Sequence, residues 1–119
     1  MMSIDPSALG QYREIMGDEA NAFIVDLIDT YIVNSGELMA AIDSSFTSND
    51  IVIFTRSAHT LKSNSAIFGA QTLSAFCQEL EQAGKNGDLT DLQPKLDVLR
   101  NEYKQVLEEL MDLRHTLVI

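Results

Sequence analysis

The chain has 119 residues, room for one domain around one core. Eighteen acidic against eight basic side chains give a net charge of −10, which argues against nucleic acid and against an anionic membrane surface as partners. Apolar residues reach 45%, too many for a disordered chain, and the single cysteine, Cys77, excludes an intramolecular disulfide or a cysteine-based zinc cluster. No apolar run is long enough for a membrane span, and the opening MMSIDPS lacks the basic and apolar segments of a secretory signal. The expectation is an acidic cytoplasmic domain covering residues 1–119.

Asp5 followed by Pro6 is a cap and first-turn signal, predicting a short helix over about 5–16 that Gly17 stops. Asp18 can cap a second helix, about 18–47, with an inner stripe of Ile24, Leu27/Ile28, Tyr31, Ser35, Leu38 and Ile42. Gly36 is its weak point. Asp50 can cap a third helix, about 50–68, which buries Ile51, Phe54, Ala58, Leu61, Ser65 and Phe68 and ends at Gly69. The fourth, about 71–85, presents Leu73, Phe76/Cys77, Leu80 and Ala83, and the GKNGD turn follows. For the fifth, about 90–116, Thr90 with Gln93 resembles a capping box. Its stripe runs Leu92, Leu96, Leu99, Tyr103, Val106, Leu110, Leu113, Leu117. The fold class expected is all-α: an up-down antiparallel four-helix bundle with a short additional N-terminal helix.

Phosphate-binding glycine loops, HExxH and GxSxG are absent, so neither ATP binding nor zinc or serine hydrolysis is expected. Asp112 and His115 have the i, i+3 spacing of half a carboxylate metal site, but the second half is missing. A histidine near a helix C-terminus is the simpler reading.

Charge is unevenly spread. Residues 1–50 hold nine acidic residues and one basic one, Arg13, whereas residues 51–87 hold Arg56, Lys62 and Lys85 against Glu79 and Glu81. Arg56, His59, Lys62, Ser63 and Ala66 share a face of the third helix, opposite its apolar stripe. His59 is thereby predicted to be accessible, with a cation one turn away. An exposed imidazole is partly neutral near pH 7 and nucleophilic at Nε2. A neighbouring lysine can hold a phosphoryl oxygen. Spacing alone favours a surface histidine beside a surface lysine with no role, since such pairs arise easily by chance.

The stretch Ala58-His59-Thr60-Leu61-Lys62-Ser63-Asn64-Ser65-Ala66-Ile67-Phe68-Gly69-Ala70, followed by Leu73, Cys77, Leu80, Glu81 and Gly84, resembles the signature of histidine-containing phosphotransfer (HPt) domains, roughly AHxLKGxxxxxGA with an apolar-rich helix after it. The resemblance covers essentially the whole chain. It implies a four-helix bundle that shuttles phosphoryl groups in two-component phosphorelays. His59 would be the phospho-acceptor and Lys62 would steady the phosphoryl group. Glu81 falls where the family often has Gln or Glu near the histidine, either orienting it or standing as a solvated carboxylate. Ser63 replaces a common glycine. Serine is small, so activity is expected to survive while docking geometry shifts.

By the same resemblance the partners are receiver domains of response regulators or hybrid histidine kinases. The receiver would bring Mg²⁺, and this chain would bind no cofactor or metal and have no kinase activity of its own. Docking would use Arg56, Ser63 and Ala66 with Leu9, Tyr12, Ile15, Met16 and Phe23; Leu27 reads as core. Two rivals remain: a non-catalytic helical adaptor that binds receiver or kinase domains, and a coiled-coil dimer through the Leu92–Leu117 stripe. The other helices need that stripe for cover, which favours a monomer.

Overall fold

A computed structural model describes residues 2–118, and these residues contain helices and turns but no strand. The helices are α1 (Gly10–Met16), α2 (Ala20–Ser48), α3 (Ile51–Ala66), α4 (Gln71–Lys85) and α5 (Gln93–Leu117). Short 3-10 segments at Pro6–Leu9 and Gly17–Glu19 flank α1.

The bundle is antiparallel throughout. Asp29 meets Arg114, and the Ser35 and Tyr103 hydroxyls lie 2.7 Å apart, so α5 runs against α2. Tyr31 OH lies 2.7 Å from Ser65 Oγ, and the Phe46 and Phe54 rings are 6.3 Å apart, so α3 also runs against α2. These pairs place the two shorter helices, α3 and α4, against the C-terminal part of α2 and the N-terminal part of α5. α2 and α5 have 29 and 25 residues against 16 and 15, and the long dimension is 48 Å. α1 and the 3-10 segment before it cover the part of α2 that the α3–α4 hairpin does not reach. Tyr12 packs there at a tilt against Phe23, ring centroids 5.2 Å apart, and Ile4 and Leu9 join the core.

Most residues of the periodic stripes are buried: Ile24, Ile28, Tyr31, Ser35 and Ile42 on α2, Phe54, Ala58, Leu61 and Ser65 on α3, Leu73, Cys77 and Leu80 on α4, and Leu96, Leu99, Val106 and Leu110 on α5, whereas Ile51, Tyr103, Leu113 and Leu117 are half-buried and Met39 is buried in place of Leu38. Each large apolar side chain among the buried ones contributes about 1.5–3 kcal/mol on removal from water, which outweighs the helix propensity lost at the β-branched positions. Every buried side-chain polar atom among the described residues has a partner. None of the described helices is long and apolar enough to cross a membrane.

The helix ends depart from the sequence reading in four places. Asp5 does cap, accepting from Ser7 N–H at 3.0 Å, but it opens a 3-10 turn, and the α-helix begins only at Gly10. Asp18 does not cap α2; it lies in the 3-10 segment, and Gly17 makes the bend with φ +57°. α3 ends at Ala66 rather than 68, because the chain turns through Gly69 at φ +66°. The Thr90–Gln93 capping box does not form. Asp88 accepts from Thr90 N–H at 2.9 Å, Asp91 takes φ +60°, and the helix begins at Gln93 with Pro94 in its first turn. Asp50 caps α3 as expected, its Oδ1 accepting from Ile53 N–H at 3.2 Å. α2 continues unbroken through Gly36.

The N-terminal residues are strapped down. Ser3 and Ile4 N–H donate to the Glu109 carboxylate at 2.8 and 3.0 Å, and Asp5 N–H donates to Phe68 O at 3.0 Å. Gly69 makes this crossing possible. A Cβ there would lie 2.6 Å from Asp5 Cβ, and the positive φ disfavours any side chain as well.

Candidate functional site

His59 lies mid-way along α3, between the buried Ala58 and Leu61, so its side chain leaves the helix toward α4 and solvent. The two helices approach closely here. Gly84 faces Thr55, and Ser74 Oγ donates to Lys62 O at 3.0 Å, fixing the register that puts Glu81 opposite His59.

Glu81 is the organising group. Its side chain is only 3% exposed, and three cationic or potentially cationic groups converge on it. His59 Nδ1 lies 2.9 Å from Oε2, Lys62 Nζ 2.6 Å from Oε1, and Lys85 Nζ 3.1 Å from Oε2. Hydrogen bonding from Lys62, against the cost of burial and with help from Lys85 and His59, holds the Glu81 carboxyl down to about 2. It is therefore ionised across the neutral range and can only accept hydrogen bonds.

That fixes the histidine. The nitrogen facing an ionised carboxylate must carry a proton, so in the neutral ring Nδ1 is the donor and Nε2 keeps the lone pair. The His59 side chain is 58% exposed, and no group among the described residues hydrogen-bonds Nε2. Lys62 is held from two sides, donating to Glu81 Oε1 and to Gln78 Oε1 at 2.7 Å. One buried carboxylate thus holds both the imidazole and the ammonium, each by a different oxygen. The alternative reading of Glu81 as a solvated carboxylate is overturned by its burial.

Shallow depressions flank the histidine. One, of about 420 Å³, is lined by Val52, Thr55, Arg56, His59, Glu81 and Gly84. Another, of about 480 Å³, includes Lys62, Ala66, Ser7 and Ala8. Arg56, Ser63 and Ala66 are exposed on α3 as read from the sequence.

The apolar set is divided. Leu9 is 1% exposed and belongs to the core beside Ile4, so its assignment to a docking surface is wrong: the 3-10 turn points it inward. Tyr12, Met16 and Phe23 are half-buried, and Ile15 is 82% exposed. Phe23 and Leu27 line a cavity of about 260 Å³ with Asn64 and Ile67 of the α3 end. Leu27 is thus a cavity wall as well as a core neighbour.

The sequence reading missed Gln78 and Lys85. Lys85 carried a visible signal, its i, i+4 spacing from Glu81, but that spacing acquires meaning only once Glu81 is known to be buried. Cys77, buried on α4, has its thiol pushed up to about 12 by burial and is no nucleophile. Among the described residues no three His, Cys, Asp or Glu side chains form a metal-binding group, and Asp112 and His115 belong to no such cluster.

The family profile of the Hpt domain matches residues 26–113. Among solved structures, the chain is similar to histidine-containing phosphotransfer protein B (HptB) from Pseudomonas aeruginosa PAO1, with a TM-score of 0.83 and 24% identity over 96% of each chain. It is also similar to the HPT domain of an Hpt sensor hybrid histidine kinase from Shewanella, with a TM-score of 0.78 and 19% identity over 96% of this chain and 95% of that one. At these identities the likeness shows the fold. No curated protein sequence matches the chain.

Proposed function

Starting from the chain's membership of the Hpt domain family, we propose that it is a phosphorelay intermediate that carries a phosphoryl group on His59 Nε2. The observation that supports this most is the divided carboxylate. Glu81 accepts from Nδ1–H with one oxygen and from the Lys62 ammonium with the other, which leaves Nε2 with an exposed lone pair.

The phosphoryl donor is the aspartyl phosphate of a receiver domain. The Nε2 lone pair attacks phosphorus in line, the P–O bond to the aspartate breaks, and its electron pair returns to the carboxylate. The Nδ1 proton stays in place, held by Glu81, so the positive charge developing on the ring is balanced as it forms. Lys62 has a third N–H free to turn toward a phosphoryl oxygen. The reverse sequence hands the group to the aspartate of another receiver. Mg²⁺ and the remaining charge stabilisation come with the receiver, and this chain contributes nucleophile, orientation and docking surface.

Docking uses the exposed α3 face with Arg56, Ser63 and Ala66, and extends over Phe23 and Tyr12 toward Met16 and Ile15. Partners are receivers of response regulators or hybrid kinases. The test is intact mass after incubation with phosphoramidate, comparing the wild type with His59→Gln. One acid-labile phosphoryl group on the wild type and none on the variant is the expected result. A folded wild type that stays unmodified by both phosphoramidate and phosphorylated receivers favours the non-catalytic adaptor instead.

A further inference from the structure

Lys85 stands at this site without a part in the reaction just described. Its ammonium and His59 Nδ1 approach the same oxygen of Glu81, Oε2, at 3.1 and 2.9 Å. Lys62 already balances the carboxylate charge through Oε1 at 2.6 Å. Two ammonium groups therefore face one carboxylate. The charged groups around the imidazole come from α3, which supplies Arg56 and Lys62, and from α4, which supplies Glu81 and Lys85. The described ion pairs of α2 and α5 lie elsewhere, at Asp43–Arg100, Asp97–Arg100, Asp29–Arg114 and Lys95–Glu79.

We propose that Lys85 is a positioning residue that, by sharing Glu81 Oε2 with His59 Nδ1–H, sets how tightly the Nδ1 proton is held and hence how long a phosphoryl group survives on Nε2. The inference rests on the phosphotransfer reading and assigns a regulator to that same site.

The chemistry gives the sign. When phospho-His59 gives up its group, the Nε2–P bond breaks and its electron pair stays on Nε2, while the phosphoryl joins a receiver aspartate oxygen or water. If the ring keeps its Nδ1 proton, the departing group is a neutral imidazole. If not, it is an imidazolate, a far poorer leaving group. An oxygen that is also ion-paired with the Lys85 ammonium has less electron density for Nδ1–H, and that ammonium opposes further positive charge on the ring. Lys85 therefore loosens the proton, which keeps Nε2 available before loading and lengthens the life of the loaded state. The Lys85 side chain is 57% exposed, so water screens the effect and it should be modest.

The experiment loads wild type, Lys85→Met and Lys85→Arg with phosphoramidate across pH 6–9 and follows loading and decay by intact mass, with circular dichroism to check folding. For K85M the expected result is a loading profile displaced upward by about half a pH unit and decay about threefold faster at alkaline pH, half a unit being a threefold change in proton affinity. K85R keeps the charge and restores wild-type behaviour. Identical profiles and decay for K85M and wild type overturn the role of Lys85 and leave phosphotransfer standing, as does a K85R that behaves like K85M. A wild type that neither phosphoramidate nor phosphorylated receivers can load removes both.

Discussion

Gly84 packs close against Thr55 of α3, and Gly84→Ala tests whether that approach holds the site together. A Cβ at this position falls inside the envelope of Thr55 Oγ1, 3.0 Å from Thr55 Cβ and 3.3 Å from its Cα. Rotating the threonine can remove the hydroxyl clash, at the loss of its 2.7 Å hydrogen bond to Ile51 O. The carbon contact remains. Ordinary contacts begin near 3.4 Å, so the helices must part by about 0.4 Å. Overpacking of this kind costs about 1–3 kcal/mol. The better helix propensity of alanine offsets about 1 kcal/mol. With the lost Thr55 hydrogen bond adding about 1 kcal/mol, the expected net loss is about 1–3 kcal/mol, a fall in Tm of roughly 4–15 °C, measured by thermal and urea melts. Gly84 is one turn from Glu81, so the same movement stretches the 2.9 Å His59–Glu81 hydrogen bond and slows loading by phosphoramidate. On a Thr55→Ala background the substitution should cost less, with a coupling of about 1 kcal/mol in the double-mutant cycle. An unchanged or higher Tm for G84A would refute the close approach and the account of how it positions Glu81.

Two further outcomes follow from the same geometry. Glu81→Gln removes the charge that two lysines face and should destabilise the fold by about 1–3 kcal/mol at pH 7 while slowing loading of His59. Because the folded-state carboxyl of Glu81 is lowered to about 2 from 4.5, its stabilisation is complete above about pH 4.5 and is lost as pH falls toward 2. Urea melts at pH 7, 4 and 2 should therefore show the wild type and E81Q converging, and a constant gap would mean the loss is not electrostatic. Gly69→Ala combines a positive φ with a 2.6 Å clash against Asp5. It should lower stability by about 2 kcal/mol or more and speed amide exchange at Asp5, whereas a neutral melt would place the strap elsewhere.

The helices were legible because burial here is a matter of periodicity. The Leu92–Leu117 stripe and the Ile24–Ile42 stripe step by three and four without competition; most of their residues lie in the core, and Leu38, Tyr103, Leu113 and Leu117 pack half-buried against it. The ends were less legible, because caps compete. Asp18 and Thr90 are good caps in isolation. The bend at Gly17 and the hydrogen bond from Thr90 N–H to Asp88 use the backbone first. Leu9 was misplaced for a related reason: on a segment that switches from 3-10 to α geometry, no single angular period tells inside from outside. At the site, His59 and Lys62 could be placed on one accessible face from spacing. The burial of Glu81 could not, since a carboxylate in so acidic a chain reads as solvated until its three partners are seen. Lys85 and Gln78 stayed hidden with it.

The strap formed by residues 3–5 has a mechanical consequence. The α3–α4 hairpin that carries His59 is joined to α2 at one end through Asn49 and Asp50, and at the other its turn is tied at Phe68 O to Asp5, whose neighbours are tied in turn to Glu109 on α5. A hairpin fixed at one end behaves as a cantilever, and a docking partner pressing on its middle would tip it. Fixed at both ends it behaves as a braced beam, and the same load produces little deflection. A distance of 2.9 Å between an exposed imidazole and a buried carboxylate can then survive a collision with a partner of similar size, without any help from that partner.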